Sequence, residues 1–414
     1  VDLLLILAVV FGFYMAWSIG ANDVANSMAD AVGSRAITVT IAVILAAICE
    51  FSGAFLAGSH VADTIRSGII DPDAFVAEPR VLAAGLVAAL LASAVWLHLA
   101  SFMGLPVSTT HSIVGAIAGF GILQAGISEI QWPKMAQIIA SWFISPVAGG
   151  IAAFLIFMVL SRLVFAHDRP LGRAMIGVPI CTFFVFFTVC IATIYKGLNN
   201  LNLTLTAMDS FVLSALISLA AAVATYFFLR RYWANEDETP IKEQLDRVEK
   251  VFAVLVVISS CSVAFSHGAN DVANAIGPLA GVIEIQQSGA LQTKAIIPPW
   301  VLALGGLGIV AGLATFGYRV MSTVGTRITE LTPSRGVAAD IAAMVTVLVC
   351  TRMGLPVSTT HTLVGAIIGV GMARGITAID RGVVVNIFFS WIATLPVVMI
   401  LTGIVFYVIR PFVV

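Results

Sequence analysis

The chain has 414 residues, 60% of them hydrophobic and 10% charged, with a net charge of −1; its mean hydropathy is +1.04. Soluble domains run at about 45–50% apolar and about 25% charged, so these proportions exclude an ordinary soluble domain and place the chain among integral membrane proteins. The near-neutral balance gives no basic surface for nucleic acid.

Apolar runs of membrane length fall, in chain order, at residues 3–20, 36–57, 81–103, 106–123, 134–160, 174–195, 208–229, 251–266, 297–317, 337–352, 356–373 and 383–409. Each is close to the ~20 residues that a spanning helix needs. Barrel-like alternation is absent, and helices are the other way to satisfy a backbone in lipid. The expectation is an all-α integral membrane protein with roughly 12 membrane segments. The run at 3–20 reads as a span and not a signal peptide, because it lacks a basic leader and an A-x-A site. Cys49, Cys181, Cys190, Cys261 and Cys350 lie in apolar runs, without CxxC or ligand-spaced His, and read as buried thiols.

Two polar loops separate these runs. "SRLVFAHDRPLGR" (Ser161 to Arg173) and "RRYWANEDETPIKEQLDRVEK" (Arg230 to Lys250) are basic or mixed in charge and lie two spans apart. They share one side, which the positive-inside rule makes cytoplasmic. The acidic loop "DPDAFVAEPR" (Asp71 to Arg80) fits the other side.

The chain also repeats itself. "GANDVAN" begins at Gly20 and at Gly268, an offset of 248. "MGLPVSTTH" begins at Met103 and at Met353, an offset of 250, and Ser141-Trp142 recurs as Ser390-Trp391, an offset of 249. Three markers in one order at one spacing mean a duplicated half. The expected organisation is a first repeat at 1–160, a connecting pair of helices with a short cytoplasmic loop at 161–250, and a second repeat at 251–414. Counting crossings, the first repeat enters from outside and the second from inside. Inverted repeats of this kind are a secondary-transporter architecture, with the binding site at the midplane.

The motifs carry the chemistry. Gly20 and Gly268 can break a helix, and Asn22 with Asp23, or Asn270 with Asp271, are good N-cap residues for a restarted one. Such a restart offers N–H groups to an anion. Asn26 and Asn274 follow their aspartates by three and share a helix face with them. In "GLPVSTTH", Gly104 and Pro106 end a helix, and Ser108, Thr109 and Thr110 cap the next; Gly354, Pro356, Ser358, Thr359 and Thr360 repeat the pattern. A non-helical turn at membrane depth is tolerated where it lines a cavity, so re-entrant hairpins are expected.

Six hydroxyls and paired helix starts suit a tetrahedral oxyanion, yet Asp23 and Asp271 repel one. Either a cation sits between acid and anion, or a protonated oxygen of the ligand donates to the acid. The first case makes binding of cation and anion mutually dependent. Hard oxygens of Asn22, Asp23, Asn26, Thr109, Asn270, Asp271, Asn274 and Thr359 suit Na⁺. Glu50, alone in "ILAAICEFSGAFLAG", reads either as a secondary cation or proton site or as one side of a structural pairing, without a matching acid in the second half. His111 and His361 read as helix-orienting, and His60 and His98 as interfacial or packed. His267 replaces Ile19 of the first copy and so is not expected to be essential. Gly115 with Gly119, and Gly365 with Gly369, form GxxxG pairs for close packing.

GANDVAN twice, each followed by GLPVSTTH, resembles the inorganic phosphate transporter (PiT) family along the full length. The resemblance implies phosphate uptake driven by Na⁺ or H⁺, inverted repeats with re-entrant hairpins, a homodimer and an elevator-like movement. It maps phosphate-site residues onto Asp23, Asn26, Ser108, Thr109 and Thr110 and onto Asp271, Asn274, Ser358, Thr359 and Thr360. The large cytoplasmic domain of animal relatives has no counterpart in the short loop at 231–250.

The leading expectation is therefore a Na⁺-coupled phosphate symporter in the cell (inner or plasma) membrane, with no cofactor beyond the coupling ion. The alternatives are H⁺ coupling, or sulfate or another oxyanion on the same scaffold. An enzyme using Ser108 with His111 is disfavoured, since a nucleophile and base normally occur once. A channel is disfavoured because buried acids beside an anion suit occlusion.

Overall fold

The computed structural model describes residues 2–58, 62, 65, 68–197, 206–233, 239–291, 297–352 and 357–413. His60, Gly354 and Pro356, singled out in the sequence, lie outside the described residues. Among those residues the chain is helical throughout, with one isolated β-bridge between Ile70 and Ile130.

Ten helices among the described residues are long and apolar enough to cross a membrane. In the order of the chain, α1 (Leu3–Asn22), α2 (Val24–Ser27), α3 (Ala29–Gly33), α4 (Val39–Ala57), α5 (Pro79–Phe102), α6 (Thr109–Gln124) and α7 (Trp132–Leu160) make up the first motif-bearing half. Then come α8 (Pro170–Gly197) and α9 (Ala207–Tyr232), followed by α10 (Ile241–Asp271), α11 (Ala273–Ser288), α12 (Pro299–Ser322), α13 (Pro333–Arg352), α14 (Thr359–Ala373) and α15 (Arg381–Val413). The apolar runs at 106–123 and 356–373 become the short helices α6, of 16 residues, and α14, of 15. At 1.5 Å per residue they reach about 23 Å, short of the ~30 Å hydrocarbon core. The loop at 231–250 is partly helical, since α10 already starts at Ile241.

The two motif-bearing segments interlock. Helix α1 packs on α12, and α10 packs in the same way on α4. Helix α14 packs on α7, while α6 packs on α15. Glycines make the first pair of crossings possible. A Cβ built on Gly20 would overlap the carbonyl of Ile309, and one on Gly312 that of Trp17. At the matching crossing a Cβ on Gly268 would overlap the carbonyl of Glu50, and one on Gly53 that of Phe265. The GxxxG pairs serve the second pair of crossings. Gly365 and Gly369 meet the backbone of Pro146 and Gly150, and Gly115 and Gly119 meet Leu395, Val398 and Met399. Gly312→Ala is accordingly expected to destabilise by about 1–3 kcal/mol, the usual cost of overpacking. A lowered melting temperature in detergent checks this; an unchanged one contradicts the close approach.

Gly104 makes the turn between α5 and α6 with φ +69°. That left-handed conformation strains any residue bearing a Cβ.

Candidate functional site

The polar motifs lie where the interlocked helices break. Helix α1 ends at Asn22, and α2 begins at Val24 with Asp23 between them in right-handed helical conformation (φ −92°, ψ −39°). Helix α10 ends at Asp271, and α11 begins at Ala273 after Val272 (φ −55°, ψ −32°). The expected side-chain caps do not form at either break. A capping residue leaves the helical region so that its oxygen can fold back onto the next turn. Here the backbone stays helical, and both carboxylates project sideways.

They project into each other's neighbourhood. Nε2 of His267 lies 2.7 Å from Asp271 Oδ2 and 3.5 Å from Asp23 Oδ2. Nδ1 of the same ring lies 3.0 Å from Glu50 Oε2. Ser27 Oγ donates to Glu50 Oε1 at 3.3 Å. All four ionisable side chains are almost wholly buried, at 0–2% exposure. Among the described residues, the ion pairs of these three carboxylates run to His267 and not to Lys or Arg.

The hairpin hydroxyls complete the site. Thr109 Oγ1 donates to Asp23 Oδ2 at 2.9 Å, and Thr359 Oγ1 donates to Asp271 Oδ2 at 3.0 Å. The amides cross between halves. Asn26 Nδ2 donates to Asp23 Oδ1 at 3.1 Å and to Thr360 Oγ1 at 3.0 Å. Asn274 Nδ2 donates to Thr109 Oγ1 at 3.1 Å and to Thr110 Oγ1 at 3.2 Å. Asp23, Asn26, Thr109, Thr110, Asp271, Asn274, Thr359 and Thr360 thus form one network. Asn270 joins it by donating to Asp271 Oδ1 at 2.8 Å.

Other predicted site residues also hold the local structure together. Ser108 and Ser358 are N-caps, each accepting from the backbone N–H three residues on, at 3.2 Å. Asn22 faces the hairpin: its Nδ2 donates to Ser101 Oγ and the Leu105 carbonyl, and its Oδ1 accepts from Val107 N–H. Asn22→Ala is therefore expected to cost stability, at about 1–3 kcal/mol for each buried partner left unpaired. Asn22→Asp should recover little, since it still lacks the amide donor. Melting curves of both variants decide this; equal stability to wild type contradicts it.

His267, set aside on sequence grounds, stands at the centre. The signal was the single change from Ile19 to His267 in "IGANDVAN" against "HGANDVAN". Its partner follows the same logic. Glu50 sits against Gly268 where Ile309 sits against Gly20. One crossing thus carries a His–Glu pair where the other carries two isoleucines. Glu50 is bound to His267 and Ser27, the structural pairing that the sequence left open. His111 and His361 meet edge-to-face at 4.3 Å, with Trp142 against His111 and Trp391 stacked on His361. Sequence reasoning also missed a second buried carboxyl pair, Asp30 and Asp340. Asp340 accepts from Ser259 and Ser260.

The donor set offers carboxylate and amide oxygens of the kind a hard cation prefers, beside one imidazole nitrogen that is not of that kind. Ligand atoms of Asp23, His267 and Asp271 lie within 4.8 Å of one another. Among the described residues the buried Asn26 Oδ1 has no hydrogen-bond donor. A cavity of about 50 Å³ opens beside them, lined on its polar side by Asp23, Asn26, Ser27, His267, Thr359 and Thr360. At about 10–15 Å³ for one water-sized group, it has room for roughly three to five.

An all-helical, multi-pass membrane protein in which two copies of one motif meet around buried acids, amides and hydroxyls has the build of a membrane transporter. The chain belongs to the phosphate transporter family (PHO4), whose sequence profile matches residues 19–402. A Haemophilus influenzae protein named as a phosphate permease is 46% identical over 404 residues, covering 97% of this chain and 95% of its own length. A Pyrococcus horikoshii protein of the same name is 45% identical, covering 99% of this chain and 98% of its own. The Arabidopsis thaliana inorganic phosphate transporter 2-1 of the chloroplast is 42% identical, covering 94% of this chain and 69% of its own. A solved structure described as the sodium-dependent phosphate transporter superposes with a TM-score of 0.90 at 41% identity, covering 99% of each chain.

Proposed function

We propose that this protein imports inorganic phosphate by symport with Na⁺, both bound between two inverted repeats in a cell membrane. The observation that carries the reading is the crossed network. The acid of each half is bound by that half's own hairpin threonine, and the amide of each half reaches the hairpin of the other. A ligand held there touches both halves at once, and a movement of one half against the other changes its access.

The charges set the order of binding. Three carboxylates against one imidazole repel a phosphate brought into a low-dielectric site, and each Na⁺ placed on Asp23 or Asp271 removes one unit of that repulsion. Carboxylate, amide and hydroxyl oxygens match the preferences of a hard cation. The hydroxyls of Thr109, Thr110, Thr359 and Thr360 can turn to donate to the anion once a cation takes their place on the acids. Phosphate carries protons near neutral pH and can donate to an acid, whereas sulfate only accepts. In this reading the hairpins are re-entrant, the loops at 161–173 and 231–250 are cytoplasmic, and the transporter works as a homodimer.

Uptake of radiolabelled phosphate into proteoliposomes, with Na⁺ and pH gradients imposed separately and sulfate as competitor, tests the proposal. A Na⁺ gradient should drive accumulation, and sulfate should compete poorly. Accumulation driven by the pH gradient alone replaces Na⁺ with H⁺ in the account. Equal inhibition by sulfate overturns the assignment of substrate.

A further inference from the structure

A much larger cavity lies away from the motif site. Helix α9 packs chiefly against α8, and α8 also packs against α10. This leaves a groove between α9 and α10, floored by α8, with a volume of about 910 Å³. That is within the roughly 300–1,000 Å³ of small-ligand pockets. Val178, Thr182 and Phe186 form the floor, and small side chains, Ala221, Ala224 and Thr225, open the space along α9. On α10 the wall runs from Arg247 to Ile258. Eleven rises of about 1.5 Å span about 16 Å, about half of the ~30 Å hydrocarbon core and so one leaflet deep.

The groove is graded along its length. Its deep end is apolar, with Val254, Leu255 and Ile258 facing Phe186 and Ala221. Its mouth carries Arg247, Lys250 and Tyr232. Lys250 is exposed, and two more cations, Arg230 and Arg231, stand in the last turn of α9. The acids of α10 in the same stretch are Glu243, Asp246 and Glu249. Glu243 is bound to Arg247 at 2.8 Å, Glu249 is turned to Ser334, and none of the three lines the groove. An apolar slot one leaflet deep with cations at its rim matches a lipid with an anionic headgroup.

We propose that the groove between α9 and α10 is a binding site for an anionic phospholipid, its acyl chain along the α8 floor and its phosphodiester at Lys250 and Arg247. Neither motif copy contributes to it, so it stands apart from the transport site. The phospholipid fills a gap that hydrocarbon must otherwise fill unspecifically, and the cations select the headgroup.

The test is native mass spectrometry of the purified full chain titrated with phosphatidylglycerol or phosphatidylcholine. The wild type should retain phosphatidylglycerol at least fivefold more tightly than phosphatidylcholine. Lys250→Glu should abolish that preference while leaving the melting temperature in lipid-free detergent unchanged. Ala224→Trp, which fills the slot, should lower retention of both lipids. Equal retention of the two lipids by the wild type overturns the proposal, as does an unchanged preference in Lys250→Glu or an unchanged retention of both lipids in Ala224→Trp. An Ala224→Cys chain that cross-links to a second copy in liposomes overturns it too, because the groove is then an interface between protomers.

Discussion

Asp271→Asn, and separately Asp23→Asn, should each reduce Na⁺-driven phosphate uptake by about 100-fold, equivalent to about 3 kcal/mol for a lost charge-assisted contact. Each substitution keeps the shape of the side chain and removes one negative charge from a site where no Lys or Arg among the described residues pairs with the acids. The threonine that donates to each acid, Thr109 or Thr359, keeps an acceptor in the amide oxygen, so the hairpins should stay in place. What is lost is the charge that draws the cation. Flux should therefore fall through loss of Na⁺ dependence, and since His267 keeps Glu50 and the other aspartate as partners, the melting temperature should fall less than on removing the imidazole itself. Uptake in proteoliposomes across a Na⁺ series checks this. Unimpaired coupled uptake in both variants would mean that the acids do not hold the cation.

The second large effect concerns His267. Removing one partner of a buried ion pair costs about 3–5 kcal/mol, because the other charge stays buried and uncompensated. His267→Gln leaves Glu50, Asp23 and Asp271 without their shared imidazole and should destabilise by that amount. Glu50→Gln combined with His267→Gln should recover part of the loss, since the two substitutions act on one contact and are not additive. The other crossing already shows that the helices tolerate an uncharged pair, with Ile19 and Ile309 in the corresponding places. The double variant should nonetheless transport poorly, because Asp23 and Asp271 remain unbridged. A double-mutant cycle on thermal stability, run beside uptake, separates the two effects. Strict additivity of the single variants would remove the pair from the account.

Much of this was legible in residue order. The apolar runs marked the ten helices that are long enough to span among the described residues, and the two runs that fold as short helices, 106–123 and 356–373, carry the STT hydroxyls. The duplicated motifs marked Asp23, Asn26, Thr109 and Thr110 with their counterparts, all of which meet in one network. Other features depend on tertiary packing that spacing does not encode. Asn22 and Asn270 occupy equal places in the motif, yet one ties down a hairpin and the other supports an acid. The expected capping by the aspartates fails because backbone conformation at the break, which residue type alone does not decide, stays helical. His267 and Glu50 are 217 residues apart, and only the crossing of α4 and α10 over Gly53 and Gly268 makes them a pair. A comparison of the two motif copies for differences as well as identities would have singled out His267.

The central claim is that phosphate is held only when a cation shields the twin aspartates. Equilibrium binding of radiolabelled phosphate to purified protein, in Na⁺ and in choline at fixed pH, tests it most directly. Na⁺ should tighten phosphate binding at least tenfold, and phosphate should tighten Na⁺ binding by the same factor, as linkage requires. The same phosphate affinity in choline as in saturating Na⁺ would contradict it.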